Sequence, residues 1–408
     1  MSEKRSDFGL IIRLGLGIGL GVVLGLIARA QVIPGQELSG MANGIMQVVG
    51  SVKHICGQFI FYAVPLVIIG FIAPSILRLG QNAGKMLMTA VVLAYISSIG
   101  AAFFAMGIGY TVIPMLDIPK DISGLLALPD TLFVLNIPAI MPVMTALVTS
   151  LVLGIATLWT KSAVMEGLLV DFEKIMVLVV TRFIIPLLPL FIAGTFAQLA
   201  FEGSLTTQLP VFLKIILIAI CGHFVWLTLL YAIGGVVSRR NPWEVVRHYG
   251  PAYLTAVGTM SSAATLPVSL ACARKSKVLP RDTVDFMIPI GATIHLCGSV
   301  LTETLFCMTI AYLLTGLIPS VGTMVLFSLL LGVFAIGAPG VPGGTVMASL
   351  GIVISVLGFQ ENAVALLLAI FALQDSFGTA CNVTGDGALA LIIDGMYNPK
   401  GENLQTGE

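Results

Sequence analysis

Two apolar stretches of this chain, at about 250–273 and 323–357, are broken at their centres by glycine, proline and hydroxyl residues. The first is interrupted by GTMSSAATLP (258–267) and the second by GAPGVPGG (337–344). Glycine and proline at this density end helices and free backbone N–H and C=O groups. In most proteins water would satisfy those groups, but this chain is 57% hydrophobic and only 10% charged, with mean hydropathy +1.04. No soluble domain of its 408 residues approaches that balance, so the sequence predicts an all-α polytopic membrane protein. Backbone groups freed inside a bilayer cannot face lipid. Each broken stretch therefore predicts a re-entrant helical hairpin whose tip lines a cavity.

The remaining apolar stretches run at about 9–29, 40–76, 84–115, 130–160, 164–200, 208–238, 283–315 and 361–395. They predict eight transmembrane helices, several longer than the roughly 20 residues a bilayer needs and hence tilted or continuing beyond it. The first has no small-residue cleavage site behind a short apolar core and is expected to be a retained span. Lys4, Arg5, Arg78, Lys85, Arg239, Arg240, Arg247, Arg274, Lys275, Lys277 and Arg281 flank the spans on one side, whereas the opposite loops carry little positive charge beyond Lys120. The asymmetry places both termini in the cytoplasm. Net charge is zero, which argues against nucleic-acid partners. Six cysteines lie apart without metal-ligand spacing and read as small buried hydrophobes.

The last apolar stretch carries Asp375, Thr379, Asn382 and Asp386, spaced four, three and four residues apart. At roughly 100° per residue they share one narrow stripe of a helix. Two carboxylates in hydrocarbon cost several kcal/mol, so the stripe is expected to face a wet or cationic pocket shared by both acids. Between the hairpins, PIGATIHLCGS (289–299) combines glycines with Thr293, His295 and Ser299, and Glu303 follows one turn later. A locally unwound helix offering carbonyls to a cation is expected there. His295 fits either a satisfied structural group or a ligand, and Glu303 either carries a proton or pairs with another group.

These pieces permit amino-acid chemistry. Asp375 can face an ammonium, while backbone amides and hydroxyls near Ser261 and Ser262, at a broken helix end, can face a carboxylate. Thr379 and Asn382 can add hydrogen bonds to either group. Asp386 beside unwound carbonyls suits a hard cation, sodium in particular, because the donors are oxygens. Glycines and prolines at Pro339, Gly340, Pro342, Gly343 and Gly344 give the second hairpin the means to act as a gate. If it closes only over amino acid and cation together, each raises the other's affinity.

SSAATLP, IGATIHLCGS, GAPGVPGG and DSFGTACNVTGD, in that order and setting, resemble the dicarboxylate/amino acid:cation symporter family, the glutamate-transporter fold. SSAA with the later LQDS is most similar to its bacterial sodium:serine/threonine symporter branch. The resemblance implies a homotrimer in a bacterial inner membrane. It assigns 9–81 and 128–202 to a static scaffold, and 82–116 and 205–395 to a transport domain that moves like an elevator. It implies that Asp375 binds the substrate amine, and that Met260, Ser261, Ser262, Ser299, Val341, Thr345, Thr379 and Asn382 hold the rest of the substrate. One sodium would lie on Asp386 and the carbonyls of Gly291, His295 and Asn382, another on carbonyls of Thr293, Ala335, Ile336 and Ala338. Glu303 falls where a glutamate-exporting branch carries its proton-linked glutamate, which makes it the candidate proton carrier.

The departures from the family pattern are equally informative. Acidic-substrate members place an arginine where this chain has Gly378, or on the hairpin where it has Met260. A second substrate carboxylate would then be buried without a cation, so a small neutral amino acid is expected. The family's Asn-Met-Asp-Gly-Thr reads HLCGS here, and Cys297 replaces the carboxylate of a third, deeper sodium site near Ser97 and Ser98. Rival readings are a proton-coupled or uncoupled facilitator or channel of the same fold, and a symporter of dicarboxylates or acidic amino acids. A membrane hydrolase using Ser261 or Asp386 lacks a nucleophile–base spacing, and the chain is not expected to be an enzyme.

Overall fold

The computed structural model describes residues 4–32, 40–81, 84–116 and 126–398. The side chains of Lys4, Arg5 and Arg78, the whole of Lys120 and the C-terminal end lie outside that description, and so does the part of the orientation expectation that depends on them. The described helices are α1 (Lys4–Ala30), α2 (Gly40–Gln81), α3 (Lys85–Val112), α4 (Val143–Thr160), α5 (Ala163–Val179), α6 (Ile185–Glu202), α7 (Leu205–Ser238) and the short α8 (Trp243–Val246). They continue with α9 (Gly250–Thr259), α10 (Ser262–Ala273), α11 (Arg281–Ile294), α12 (Cys297–Thr315), α13 (Val321–Gly337), α14 (Gly344–Leu357) and α15 (Glu361–Tyr397).

The fold is all-α. Among the described residues, seven helices or end-to-end helix runs are long and apolar enough to cross a membrane. The stretch at 130–160, expected to be a further span, holds only the 18 helical residues of α4, because Pro129, Pro138 and Pro142 keep 126–142 out of helix. The run from α5 to α6 passes through a π-turn at Val180–Ile184, just ahead of Pro186, which has no N–H to continue the regular ladder.

Both broken stretches form helical hairpins. α9 ends in Met260, which adopts the left-handed conformation at φ 50°, and Ser261 then caps α10 by accepting the N–H of Ala264 at 3.1 Å. α13 and α14 are joined by Ala338–Gly343, with Gly343 at φ 69°. The third break is shorter than expected: α11 stops at Ile294 and α12 starts at Cys297, leaving only His295 and Leu296 in non-helical backbone.

Packing divides unevenly around α2 and α15. α1 lies along α6, where Gly17, Gly21 and Gly25 bring the two backbones so close that a Cβ on Gly21 would stand 2.1 Å from the Ala193 carbonyl oxygen. α2 packs on α4, α5 and α6, whereas α15 is surrounded by α7, α9, α11 and α12. α3 packs on α12 and α13, and the second hairpin leans through α14 on α2 and α4.

Candidate substrate and cation site

α15 carries the predicted stripe unbroken, and Asp375, Thr379, Asn382 and Asp386 are all buried. Asp375 and Asp386 do not share one pocket. Eleven residues of helix separate them by about 16 Å, and each has its own surroundings.

Asp375 faces the second hairpin. Its Oδ2 accepts the backbone N–H of Gly343 at 2.7 Å, an amide freed because the chain turns there before α14 begins. A cavity of about 20 Å³ beside it is lined by Leu14, Leu188, Met260, Val346, Met347 and Phe371 among others, and among the described residues no lysine or arginine lines it. That volume holds about one water. Met260 and Val346 close it from the two hairpins, and Thr345 is buried one residue before Val346.

The two hairpin tips meet next to this carboxylate. Ser261 Oγ donates to the carbonyl of Gly340 at 2.5 Å, and a Cβ on Gly340 would lie 3.3 Å from the backbone nitrogen of Ala263. Ser262 is buried at the start of α10. Val341 uses its own N–H within the turn, donating to Pro339 at 2.8 Å.

Beyond the tips lies a cleft of about 740 Å³. Thr293, Ile336, Ala338 and Gly340 line it, together with Ser75, Met86 and Glu173 from α2, α3 and α5. Three of the four residues expected to offer carbonyls to the second sodium thus border one space. Ala335, the fourth, is buried, and its carbonyl already accepts the N–H of Ala338 at 3.4 Å.

Asn382 serves the start of α12. Its Oδ1 accepts the N–H groups of Gly298 at 2.7 Å and Ser299 at 3.2 Å, and its Nδ2 donates to Ser299 Oγ at 2.9 Å. A side chain of one helix therefore satisfies the orphan amides of another. Asp386, three residues on from Val383, meets the break in the same pair of helices. His295 Nδ1 stands 2.9 Å from Asp386 Oδ1, and the other ring nitrogen stands 2.8 Å from Ser97 Oγ on α3. Gly291 is where a Cβ would come within 2.5 Å of Asp386 Oδ1, and its carbonyl accepts the His295 N–H at 2.9 Å.

Glu303 is fully buried on α12. Ser349 of α14 donates to its Oε1, and Oε2 has no hydrogen-bond partner among the described residues.

Sequence reasoning missed a polar junction elsewhere. Lys53, buried in α2, donates to Gln198 Oε1 on α6 at 2.5 Å and to Asn362 Oδ1 at the start of α15 at 2.8 Å. Beside it His54 Nδ1 lies 3.6 Å from Glu361 Oε2. A lysine and a histidine in the middle of an apolar stretch were the available signal. Also missed was His223 of α7, whose Nε2 reaches the Gly298 carbonyl at 3.0 Å and Thr302 Oγ1 at 2.9 Å.

A model of the sodium:dicarboxylate symporter family matches residues 10–396, and the chain belongs to that family. Among curated proteins it is similar to excitatory amino acid transporter 1 of Ambystoma tigrinum, 31% identical over 53% of this chain and 39% of that protein. Excitatory amino acid transporter 3 of Mus musculus is 32% identical over 52% of this chain and 40% of the relative. For excitatory amino acid transporter 2 of Homo sapiens the figures are 30%, 55% and 40%. The chain thus spans about two fifths of the length of these relatives.

Proposed function

We propose that the chain is a cation-coupled carrier that brings a small neutral amino acid, of the serine or threonine class, across a bacterial inner membrane. The observation that carries this reading is Asp375: a buried carboxylate at the junction of two broken hairpins, held by a backbone amide of a turn and adjoined by a cavity that no cationic side chain lines among the described residues. An ammonium can replace the Gly343 N–H as its partner when the turn withdraws. Ser261 and Ser262, with the first amides of α10, supply donors for a carboxylate. A second carboxylate on the cargo would find no counter-charge in that cavity, which favours neutral cargo over acidic cargo.

Opening the tips breaks the Ser261–Gly340 hydrogen bond, worth about 1 kcal/mol net, so the second hairpin is suited to gate the site from the 740 Å³ cleft. Carbonyls of Thr293, Ile336 and Ala338 at the mouth of that cleft suit sodium, which the family's name specifies as the coupling ion. Closure over both cargo and ion would couple them. In this scheme α1, α2, α4, α5 and α6 form the scaffold of a homotrimer, and the remaining helices move as the transport domain.

Glu303 favours a second reading. Its unpartnered Oε2 in the membrane interior suits a proton carried with, or instead of, sodium. Thermal stabilisation of the purified protein by a panel of neutral and acidic amino acids, in sodium and in choline at two pH values, tests both. Stabilisation by serine or threonine in sodium is expected; stabilisation by aspartate or glutamate alone would overturn the neutral-cargo reading.

A further inference from the structure

Asp386 is fully buried, and a carboxylate in such a place needs a bound cation or an internal partner. The structure supplies an internal one. The imidazole of His295 lies between Asp386 Oδ1 on α15 and Ser97 Oγ on α3, at 2.9 and 2.8 Å, and is itself completely buried. Its seat is cut to shape. A Cβ on Gly385 would come within 2.9 Å of the ring carbon Cε1, and one on Gly291 would come within 2.5 Å of the carboxylate oxygen the ring contacts. The extended backbone of His295, in the two-residue break between α11 and α12, aims the side chain into this seat.

The surroundings are poor for a hard cation. Cys297 Sγ would stand 3.3 Å from a Cβ on Gly385, so a thiol lies against the ring on the side where the family pattern has a carboxylate. Cys381 adjoins Cys297, and Tyr231 and Tyr249 pack on Gly387, the residue after Asp386.

Taking the chain as the cation-coupled carrier described above, we propose that His295 is the permanent counter-group of Asp386, so that the imidazole stands in place of a coupled sodium and the deep region between α3, α12 and α15 holds no ion. With Nδ1–H donated to Asp386 Oδ1 and Nε2 accepting the Ser97 hydroxyl, both ring nitrogens are satisfied in the neutral form, while Asp386 Oδ2 has no hydrogen-bond partner among the described residues. The place it fills is the same in either protonation state. Cation binding is left to the carbonyls at the mouth of the cleft, and fewer ions move per cycle than the family's full set of sites would allow.

The test uses the purified full chain in nanodiscs, labelled with ¹⁵N-histidine, in sodium or choline. Ring signals of His295 are assigned by their loss in His295→Asn. Expected are a proton on Nδ1, ring shifts identical in the two salts, and a sodium midpoint for thermal stabilisation that Asp386→Asn changes by no more than about twofold. His295→Asn is expected to lower that midpoint by about tenfold, an effect that a further Asp386→Asn removes. His295 shifts that move with sodium, a bare Nδ1, or a tenfold higher midpoint in Asp386→Asn alone would overturn the proposal. If His295→Asn does not fold, the ring shifts of the native chain, assigned by pairwise exclusion of the other three histidines, decide. A chain that sodium does not stabilise at all overturns the sodium reading of the carrier, while the proton on Nδ1 still judges the imidazole.

Discussion

Asp375 and Asp386 share a helix face and a degree of burial, and they differ in what holds them. The partner of Asp375 is an amide in a six-residue turn that holds two glycines and two prolines, on a hairpin whose tip borders a large cleft. The partner of Asp386 is a side chain wedged between three helices. A carboxylate whose partner sits on a movable turn can exchange it for a ligand. One whose partner is seated in glycine-shaped packing is part of the frame. Identical residues on one stripe are thus held in different ways, and substitutions at each should separate the roles proposed for them.

The largest effect is expected at the exchangeable end. Asp375→Asn keeps the shape and removes the charge, and should weaken amino acid binding by about 100-fold or more, the scale of losing one partner of a buried ion pair. Calorimetric titration checks it, and a variant that still binds serine normally would detach the cargo from this carboxylate. At the fixed end, Gly291→Ala puts a methyl 2.5 Å from Asp386 Oδ1 and should cost about 1–3 kcal/mol of stability, as overpacking does. Its lowered melting temperature should persist when saturating amino acid is present.

Lys53→Met sharpens the contrast at a third place, where α2 and α6 meet the start of α15. Loss of hydrogen bonds from a charged group to Gln198 and Asn362 should destabilise that junction by about 1.5–3 kcal/mol. Faster hydrogen exchange confined to the first turns of α15 would register it. Smallest is Ser97→Ala, which removes one hydrogen bond to the imidazole, worth about 1 kcal/mol. Melting should shift slightly while amino acid affinity stays within about twofold.

The hairpins, the break in the helix between them and the stripe on α15 were legible because glycine, proline and membrane-buried carboxylates have few physical explanations in so apolar a chain. Besides the Lys53 junction and His223, other features were not. The start of the fourth span looked helical by hydropathy, yet Pro129, Pro138 and Pro142 outweigh it. The role of His295 depends on Ser97, almost 200 residues earlier, and on the ring's seat against Gly385. Spacing along α11 and α12 carries no trace of either contact. Asn382 shows the same limit: its place on the stripe suggested a ligand contact, whereas both ends of its amide are engaged by the first turn of α12.

Uptake of radiolabelled serine by proteoliposomes tests the central claim most directly, with an inward sodium gradient set against equal sodium on both sides. A cation-coupled carrier should accumulate serine above the external concentration only under the gradient, and Asp375→Asn should abolish that accumulation. Equilibration to the external concentration at the same rate with or without the gradient would contradict the account and leave an uncoupled pathway in its place.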